Sequence, residues 1–179
     1  MATLSVGGTT VFDGATLQVA AIPVGMPIKK SYYPIGRGTC TSAQWPNDDT
    51  VPQKNEGTEV FTQAYTPSTA SCDLIISVII KLGETSNVTS MAGAGLFISD
   101  NTSALQIQDL YNVGNDNIHN AVINLSYKMA SWGTSSKTFS IDVHGSNAYN
   151  YANEDGAFAT AKWSADAYKS SMIIEEIAT

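Results

Sequence analysis

The stretch from Cys72 to Leu82 constrains the fold more than any other part of this sequence. Its apolar residues alternate with a period of two, which is the spacing of a β-strand. One face of that strand holds Leu74, Ile76, Val78, Ile80 and Leu82. A helix would also gather several of these residues, but the β-branched content and the stop at Gly83 favour a strand. The opposite face mixes Ile75 and Ile79 with polar residues, which is typical of a face partly covered by another sheet edge or a neighbouring subunit.

Further alternating segments predict a domain made of strands alone. Residues 121–129 and 138–144 alternate cleanly, and the turn-forming run 130–136 between them predicts that they pair as a hairpin. Shorter strands are predicted at residues 59–66, 95–99, 104–111 and 172–177. No segment has the capped Ala/Leu/Glu/Lys pattern of a good helix. We therefore predict an all-β fold, a jelly-roll-like antiparallel β-sandwich over residues 39–179.

Residues 1–38 differ from the rest because glycine and proline interrupt them at short intervals. Brief strand-like pieces, Thr9–Phe12 and Leu17–Ala21, lie between these turns. The pattern predicts an extended N-terminal docking arm, with room for a small sheet of its own. The alternative is that this region supplies the first strand or two of the main domain.

The charge content excludes several classes of function. Charged residues make up 14% of the chain, against about 25% in an ordinary soluble domain. The net charge is −7 and Arg37 is the single arginine, so the basic patch that nucleic acid requires is missing. Anionic membrane surfaces are disfavoured for the same reason, and no apolar run approaches the ~20 residues of a membrane helix. The start carries no secretory signal pattern, so we expect synthesis in a cytoplasm.

One string of residues after the arm is distinctive. It comprises Trp45, Asp48, Asp49, Thr50, Pro52, Gln53, Glu56 and Gly57. It resembles a motif near the start of a β-sandwich domain found in phage tail-fibre and related virion proteins, where a Glu-Gly step leads into the first long strand. The resemblance covers residues 39–179 and extends loosely to the arm.

The resemblance implies a homotrimeric surface module of a virion, made in the host cytoplasm. Such a module attaches to other virion proteins, here through the arm, and serves host attachment or assembly. Tail fibres usually carry a long shaft before this domain, whereas only a short arm precedes it here. The short arm departs from the fibre pattern and keeps a capsid decoration (head fibre) protein as the alternative, while the family resemblance makes a tail-fibre or tail-tip component the first expectation.

Candidate catalytic and metal-binding groups are few. Ser140, Asp142 and His144 share one face of a strand, but Asp142 is in the middle and residues two apart are separated by about 7 Å, whereas a triad needs histidine between the other two. Asp48 and Asp49 are expected to cap a turn by hydrogen-bonding backbone amides. Cys40 and Cys72 lack metal-ligand spacing, and a disulfide between them is left open. We predict no catalytic residue, no metal and no cofactor.

The most suitable exposed recognition surface is a loop rich in tyrosine and asparagine. Its candidate contact residues are Asn147, Tyr149, Asn150, Tyr151 and Asn153. These side chains give adaptable contacts at low entropic cost, and a host surface glycan or protein would be the partner. A carbohydrate-binding lectin or a tailspike-type glycan hydrolase is the remaining alternative. Large aromatic residues near turns more often plug the ends of a sandwich.

The C-terminal strand mixes acids with isoleucines on both faces. One set is Ile173, Glu175 and Ile177, and the other contains Ile174 and Glu176. A carboxylate among isoleucines is costly inside a monomer unless it is paired. The pattern therefore favours a sheet margin or an interface, and with it self-association.

Overall fold

The computed structural model describes thirteen β-strands and no α-helix. The described residues are 3–13, 16–18, 21–36, 38–39, 50–84, 90–112, 119–145, 148–150 and 170–179. The strands are β1 (Thr3–Val6), β2 (Thr9–Asp13), β3 (Thr16–Leu17), β4 (Pro27–Ile35), β5 (Gly38–Thr39), β6 (Thr58–Tyr65), β7 (Cys72–Glu84), β8 (Ser90–Ile98), β9 (Asn101–Asn112), β10 (His119–Ala130), β11 (Lys137–Gly145), β12 (Ala148–Asn150) and β13 (Ser170–Ala178). Every pairing among them is antiparallel, which confirms the predicted fold class. In this part of the chain no helix is long and apolar enough to cross a membrane.

The first sheet of the sandwich is built around β7. One edge of β7 pairs with β13, which in turn pairs with β4, and the other edge pairs with β10. β12 continues along the β13 side of β7 and carries β5. The predicted apolar face of β7 is buried at Leu74, Ile76, Val78 and Ile80. The alternation of the sequence thus places one face of this sheet in the core.

The second sheet has the strand order β6-β11-β8-β9. Phe139, Ile141 and Val143 of β11 are fully buried, together with Ala94 and Leu96 of β8, in the same cluster as the apolar face of β7. Burying a large aliphatic or aromatic side chain contributes about 1.5–3 kcal/mol. The core between the two sheets is therefore what holds the sandwich together.

The predicted hairpin between residues 121–129 and 138–144 is wrong. β10 pairs with β7 in the first sheet, whereas β11 pairs with β6 and β8 in the second. The connection between them crosses from one layer to the other, and its Trp132 packs edge-on against Phe139 with ring centroids 5.8 Å apart. The indole Nε1 donates to the carbonyl of Ser135 at 2.8 Å. This packing of Trp132 turns the chain into the second layer instead of back along β10.

The N-terminal region divides into two parts. β1, β2 and β3 form a small sheet of their own, in which Gly7 and Gly8, both at positive φ (58° and 85°), make the two-residue turn that suits a hairpin. β4 instead belongs to the first sheet, where it pairs with β13 from Ile35 to Pro27. The boundary predicted at residue 38 is therefore wrong for this strand, and the alternative holds: the region supplies a strand of the main domain.

Glutamine side chains close the side of the sandwich where β10 meets β9. The backbone N–H of Asn124 donates to Oε1 of Gln108 at 3.1 Å, and that of Ser126 donates to Oε1 of Gln106 at 2.8 Å. A sheet edge with unpaired amides is a site for unwanted pairing with another chain. Here the side-chain oxygens of two glutamines in β9 accept hydrogen bonds from two backbone N–H groups along that edge of β10.

Candidate functional site

The motif that carries the family resemblance forms a turn in the structure. Glu56 Oε2 accepts a hydrogen bond from the backbone N–H of Gln53 at 2.7 Å, and the carbonyl of Gln53 accepts from the N–H of Glu56 at 3.0 Å. The Glu56 carboxylate thus does what was expected of Asp48 and Asp49, which lie outside the described residues along with Trp45. Gly57 directly precedes β6.

This turn is fastened to the start of β9. Gln53 forms an isolated β-bridge with Ser103, and its side-chain Nε2 donates to Ser103 Oγ at 3.0 Å. The N–H of Lys54 donates to the carbonyl of Thr102 at 2.8 Å, and the N–H of Ala104 donates to the carbonyl of Pro52 at 2.9 Å. The described motif residues Pro52, Gln53 and Glu56 therefore bind one another and β9, which gives these three a structural role.

An open depression of about 670 Å³ lies beside the turn. It is lined by Gln53, Lys54, Asn55, Gly57, Glu59 and Thr102. Lys54 Nζ and Glu59 Oε2 form an ion pair across it at 2.9 Å. None of the lining side chains is aromatic, so the depression has no ring on which a sugar could stack.

Glu176 is fully buried on the core-facing side of β13, and its carboxylate is held by side chains from other segments. Tyr65 donates its hydroxyl to Oε1 at 2.6 Å, and the N–H of Ser68 donates to the same oxygen at 2.9 Å. The hydroxyl of Ser68 donates to Oε2. Lys29 Nζ lies 3.9 Å from Oε1 and 5.2 Å from the centre of the Tyr65 ring. The pKa of Tyr65 is raised, first by burial and then by its hydrogen bond to the Glu176 carboxylate.

We call Glu176, Tyr65, Ser68 and Lys29 the Glu176 cluster. It shows how the chain accommodates an acid among the isoleucines of its last strand. Glu176 is paired within the chain, so its presence does not require an interface. The neighbouring Glu175 is half-buried on the outward face and lies 3.9 Å from Lys30. The sequence signal for this pairing was the Lys29-Lys30 dipeptide, which the register of β4 against β13 sets opposite Glu176 and Glu175.

Asp142 is the second fully buried carboxylate, and it has no such partners. Neither of its oxygens has a hydrogen-bond partner among the described residues, and the same is true of Ser140 Oγ. Burial, and after it the negative charge of Glu59, raises the pKa of Asp142 to about 7, while Lys54 acts in the opposite direction. Ser140 and Asp142 do not bond to each other. The side chain of His144 lies outside the described residues.

Cys72 is a free thiol, buried at the start of β7. Its Sγ lies 3.3 Å from the carbonyl of Thr69, and burial raises its pKa. The disulfide that the sequence left open is therefore not formed by this residue. Cys40 is outside the described part of the chain.

The predicted recognition loop is only partly within the described residues. Asn147, Tyr151 and Asn153 lie outside them. Tyr149 and Asn150 form most of β12, whose backbone pairs with β7 on one side and β5 on the other. The loop assignment is thus wrong for these two residues, because their backbone amides and carbonyls are used by the sheet. Their role in recognition stays a prediction.

Comparison with known proteins gives similarity in structure alone. No protein-family model matches the chain, and no curated protein matches it. A structure of infectious bursal disease virus, Gx strain, matches 98% of this chain and 37% of its own, with a TM-score of 0.44 and 9% identity. Dimeric latent PorU from Porphyromonas gingivalis matches 92% of this chain and 15% of its own, with a TM-score of 0.40 and 10% identity.

A third likeness is to the VP2 subviral particle of infectious bursal disease virus. It covers 85% of this chain and 33% of that one, with a TM-score of 0.35 and 10% identity. This chain therefore spans well under half of each of these three proteins. At these TM-scores and identities the likeness assigns neither a family nor a function to the chain.

Proposed function

We propose that this chain is a structural, non-enzymatic component of a bacteriophage particle, a trimeric surface module of the tail-fibre or tail-tip kind that acts in attachment or assembly. The observation that carries the proposal is the motif ending in Glu56 and Gly57. In the resembling domains a Glu-Gly step leads into the first long strand of the sandwich. Here Gly57 is followed at once by β6 (Thr58–Tyr65), which is the first strand of the second sheet, although β4 of the first sheet precedes it in the chain.

The small sheet of β1, β2 and β3 supports the docking role of the N-terminal region. Three apolar side chains on it are exposed: Leu4 by 54%, Val6 by 64% and Phe12 by 39%. Leu4 and Phe12 are cross-strand partners. A sheet this small needs packing on an apolar face for stability, and another virion protein would supply it. Residues of the small sheet are thus the contact that we assign to attachment of the module.

The burial of the polar side chains in β11 supports a non-enzymatic role. A nucleophile or a general base must reach its substrate, yet Ser140 and Asp142 are both buried and do not hydrogen-bond to each other. Among the described residues no group of three or more histidine, cysteine or acidic side chains could hold a metal ion. No aromatic side chain lines the depression beside Gln53, so it lacks the stacking platform of a sugar-binding site.

Quantitative mass spectrometry of purified phage particles tests the proposal, with light scattering on the isolated protein beside it. We expect the chain in every particle at a fixed copy number that is a multiple of three. A low number would place it in the tail, and a number on the scale of the capsid lattice would favour the capsid-decoration alternative. Absence from particles, or release of sugar from host glycans by the purified protein, would overturn the proposal.

The arm has its own test in the same experiment. The Leu4→Ser/Phe12→Ser double variant removes apolar surface from the small sheet. In the described part of the chain this sheet makes few contacts with the sandwich, so the sandwich should fold unchanged. We expect this variant to be lost from particles while Val51→Ser, which changes an exposed valine beside the Gln53 turn, is retained. Equal incorporation of both variants would show that the small sheet is not the attachment site.

A further inference from the structure

Three buried oxygen atoms in β11 have no hydrogen-bond partner in the part of the chain that the structure describes. They are the two carboxylate oxygens of Asp142 and the hydroxyl oxygen of Ser140. The two residues are two positions apart in one strand, so both side chains leave the same face of it, and they are 0% and 1% exposed. Buried polar atoms nearly always have a partner, and an exception calls for an explanation such as a bound ion or water.

A retained proton on Asp142 does not by itself account for these three atoms. Protonation removes the charge of the carboxyl group, but it adds an O–H that needs an acceptor of its own. The Ser140 hydroxyl lies on the same face, yet the two side chains do not hydrogen-bond to each other. A proton therefore leaves both groups without a partner, whereas one cation accepts oxygen atoms from both.

A second carboxylate lies beside Asp142 in the neighbouring strand. Glu59 of β6 is the cross-strand partner of Asp142, and the Cβ atoms of such a pair are about 5 Å apart. This spacing suits one calcium ion between the two carboxylates, because oxygen ligands lie about 2.3–2.6 Å from Ca²⁺. Glu59 also lines the depression beside the Gln53 turn, so an ion reaches its carboxylate from solvent.

The backbone around Asp142 has two features that are typical of a binding site. A register shift, which marks a β-bulge, separates Ile141 from Asp142 in the pairing with β6, and bulges re-aim side chains beside functional sites. On the other side of β11, the cross-strand partner of Asp142 is Gly95 of β8. Glycine has no side chain to fill the space beside the carboxylate, and within a strand it often marks the close approach of a ligand.

Lys54 is the cationic group that contacts Glu59. Its Nζ lies 2.9 Å from Oε2 of Glu59, and 37% of the Lys54 side chain is exposed. An exposed ion pair contributes little to stability, so the ammonium group can turn into solvent when a divalent cation takes its place. The backbone N–H of Lys54 donates to the carbonyl of Thr102, and this bond holds the turn whatever the position of the ammonium group.

We propose that Asp142, Glu59 and Ser140 bind a calcium ion where Glu59 borders the depression, with water completing its coordination. Calcium accepts oxygen ligands in irregular arrangements, whereas magnesium requires near-ideal octahedral geometry. Two carboxylates give a site of modest affinity, with a Kd of about 0.1–1 mM. The ion joins β6 to β11 and serves stability rather than catalysis. This site departs from the absence of metal predicted from the sequence, and it does not rest on the proposed function.

Thermal unfolding of the purified chain with and without calcium tests the proposal, with Asp142→Asn and Asp73→Asn as the matched pair. Each variant removes one carboxylate from a strand, but Asp73 lies in the first sheet, where it pairs with Lys128. Calcium at about 100 times its Kd should raise the Tm of the unchanged chain and of Asp73→Asn by about 5–10 °C. The Tm of Asp142→Asn should not change. Magnesium chloride and, with EDTA, sodium chloride are compared at the same ionic strength and mildly alkaline pH.

The two chains should also exchange their order of stability. In EDTA, Asp142→Asn should be the more stable chain at this pH, because it lacks the lone buried charge. In calcium the unchanged chain should be the more stable, because the ion neutralises that charge. Isothermal titration calorimetry with calcium alone should give one ion per chain.

Lys54→Met and Ser140→Ala locate the ion without changing a carboxylate, and far-UV circular dichroism checks that each variant folds. Lys54→Met removes the competing ammonium group and should tighten calcium binding about threefold, which is the size of an exposed ion pair. Ser140→Ala should weaken it. Calcium binding that neither variant alters would overturn the proposed site. No binding by the unchanged chain would also overturn it, as would equal stabilisation of Asp142→Asn or an equal response to magnesium.

Discussion

Among the described side chains, each sheet of the sandwich fully buries one carboxylate, and the surroundings of the two differ. Glu176 in β13 and Asp142 in β11 are both 0% exposed. Glu176 has the hydroxyl of Tyr65, the amide and hydroxyl of Ser68, and Lys29 around it. Asp142 has no hydrogen-bond partner among the described residues. Removing a carboxylate from water is costly, and the cost is met either by partners or by retaining the proton.

The difference shows which of the two carboxylates stabilises the fold as a charged group. The Glu176 cluster ties β13 to β4, to β6 and to the Ser68 segment, so its charge holds the side of the sandwich where the two sheets meet. Asp142 lies on the opposite side of its sheet from Phe139, Ile141 and Val143, and its carboxylate makes no hydrogen bond to the part of the chain that the structure describes. Because its pKa is raised, Asp142 is neutral over much of the acidic pH range. At higher pH it loses its proton, and the buried charge then destabilises the folded state.

The largest expected loss of stability follows removal of the Glu176 charge. Glu176→Gln leaves Lys29 without its buried partner and turns one of the two carboxylate acceptors into an NH2 donor, while the remaining amide oxygen is a weaker, uncharged acceptor for the Tyr65 hydroxyl. Breaking a buried ion pair by removing one partner costs about 3–5 kcal/mol, and because Lys29 is half-exposed we expect about 3 kcal/mol from chemical denaturation. Glu175→Gln, on the outward face of the same strand, should cost less than about 1 kcal/mol. Equal losses would remove the distinction between the two glutamates.

Asp142→Asn should act in the opposite direction, and its effect should depend on pH. The pKa of Asp142 is about 7 in the folded chain against an ordinary value of 3.8, so between these values the folded state holds a proton that the unfolded state has released. Stability therefore falls as the pH rises through this window and is level above it. The free energy of unfolding of Asp142→Asn, relative to the unchanged chain, should gain about 2–4 kcal/mol between pH 4 and pH 8.

A matched control for Asp142→Asn is available at the surface. Lys137 holds the pKa of Asp100 below its ordinary value, so in the unchanged chain the Asp100 contribution to stability is lost as the pH falls. Asp100→Asn abolishes that contribution, so relative to the unchanged chain this variant should lose stability as the pH rises, opposite to Asp142→Asn. Parallel pH profiles for the unchanged chain and Asp142→Asn would contradict the view that Asp142 is neutral in the fold.

Tyr65→Phe tests whether the Glu176 cluster acts as a unit. It removes one hydrogen bond to a charged acceptor, and we expect a loss of about 1.5–3 kcal/mol. In the Glu176→Gln background the same change should cost much less, because the partner is already altered. A double-mutant cycle measures this coupling, and strictly additive losses would mean that the hydroxyl and the carboxylate do not depend on each other.

The smallest expected effect concerns the hydrogen bonds between the glutamine side chains of β9 and the backbone of β10. Gln106→Leu and Gln108→Leu each free one amide of β10 to bond with water, at a cost of about 1 kcal/mol. Hydrogen exchange of the Ser126 and Asn124 amides should accelerate in the respective variant. Gln63→Leu in β6, whose side chain bonds only the adjacent carbonyl of Ala64, should leave both amides unchanged. Unchanged exchange in all three variants would show that water does not reach this edge.

The sequence predicted well what depends on local alternation. The buried face of β7 follows from period-two spacing at Leu74, Ile76, Val78 and Ile80, because a strand shifted by one residue would expose the whole set. The antiparallel all-β class follows in the same way. Which strands become neighbours is a different matter, since β10 and β11 were wrongly predicted to pair. The choice between returning along the same sheet and crossing to the next depends on the packing of Trp132 against Phe139, which no local pattern reveals.

The candidate sites show the same difference between what a local pattern predicts and what depends on distant segments. The turn predicted before Pro52, with Asp48 and Asp49 as its caps, lies outside the described residues. The turn that the structure shows follows Pro52, and Glu56 caps it. The burial of Glu176 could have been inferred from the Lys29-Lys30 and Glu175-Glu176 dipeptides only if their register had been known. The small sheet of β1, β2 and β3 was allowed for, but the membership of β4 in the first sheet was predicted only as an alternative. Pairings between segments more than 130 residues apart leave no periodic trace in either segment.

The position of β13 between β4 and β7 has a consequence for how the chain reaches its native state. Ser170 pairs with Ile35, so the first sheet cannot assemble in order of synthesis. Non-local pairings of this kind make folding slow, on the scale of milliseconds to seconds. A ribosome-bound chain that has not yet released residues 170–178 leaves one edge of β7 and one edge of β4 unpaired along most of their length. Such intermediates are prone to aggregate, and the yield of soluble protein should therefore rise when the interval between synthesis of β7 and synthesis of β13 is short.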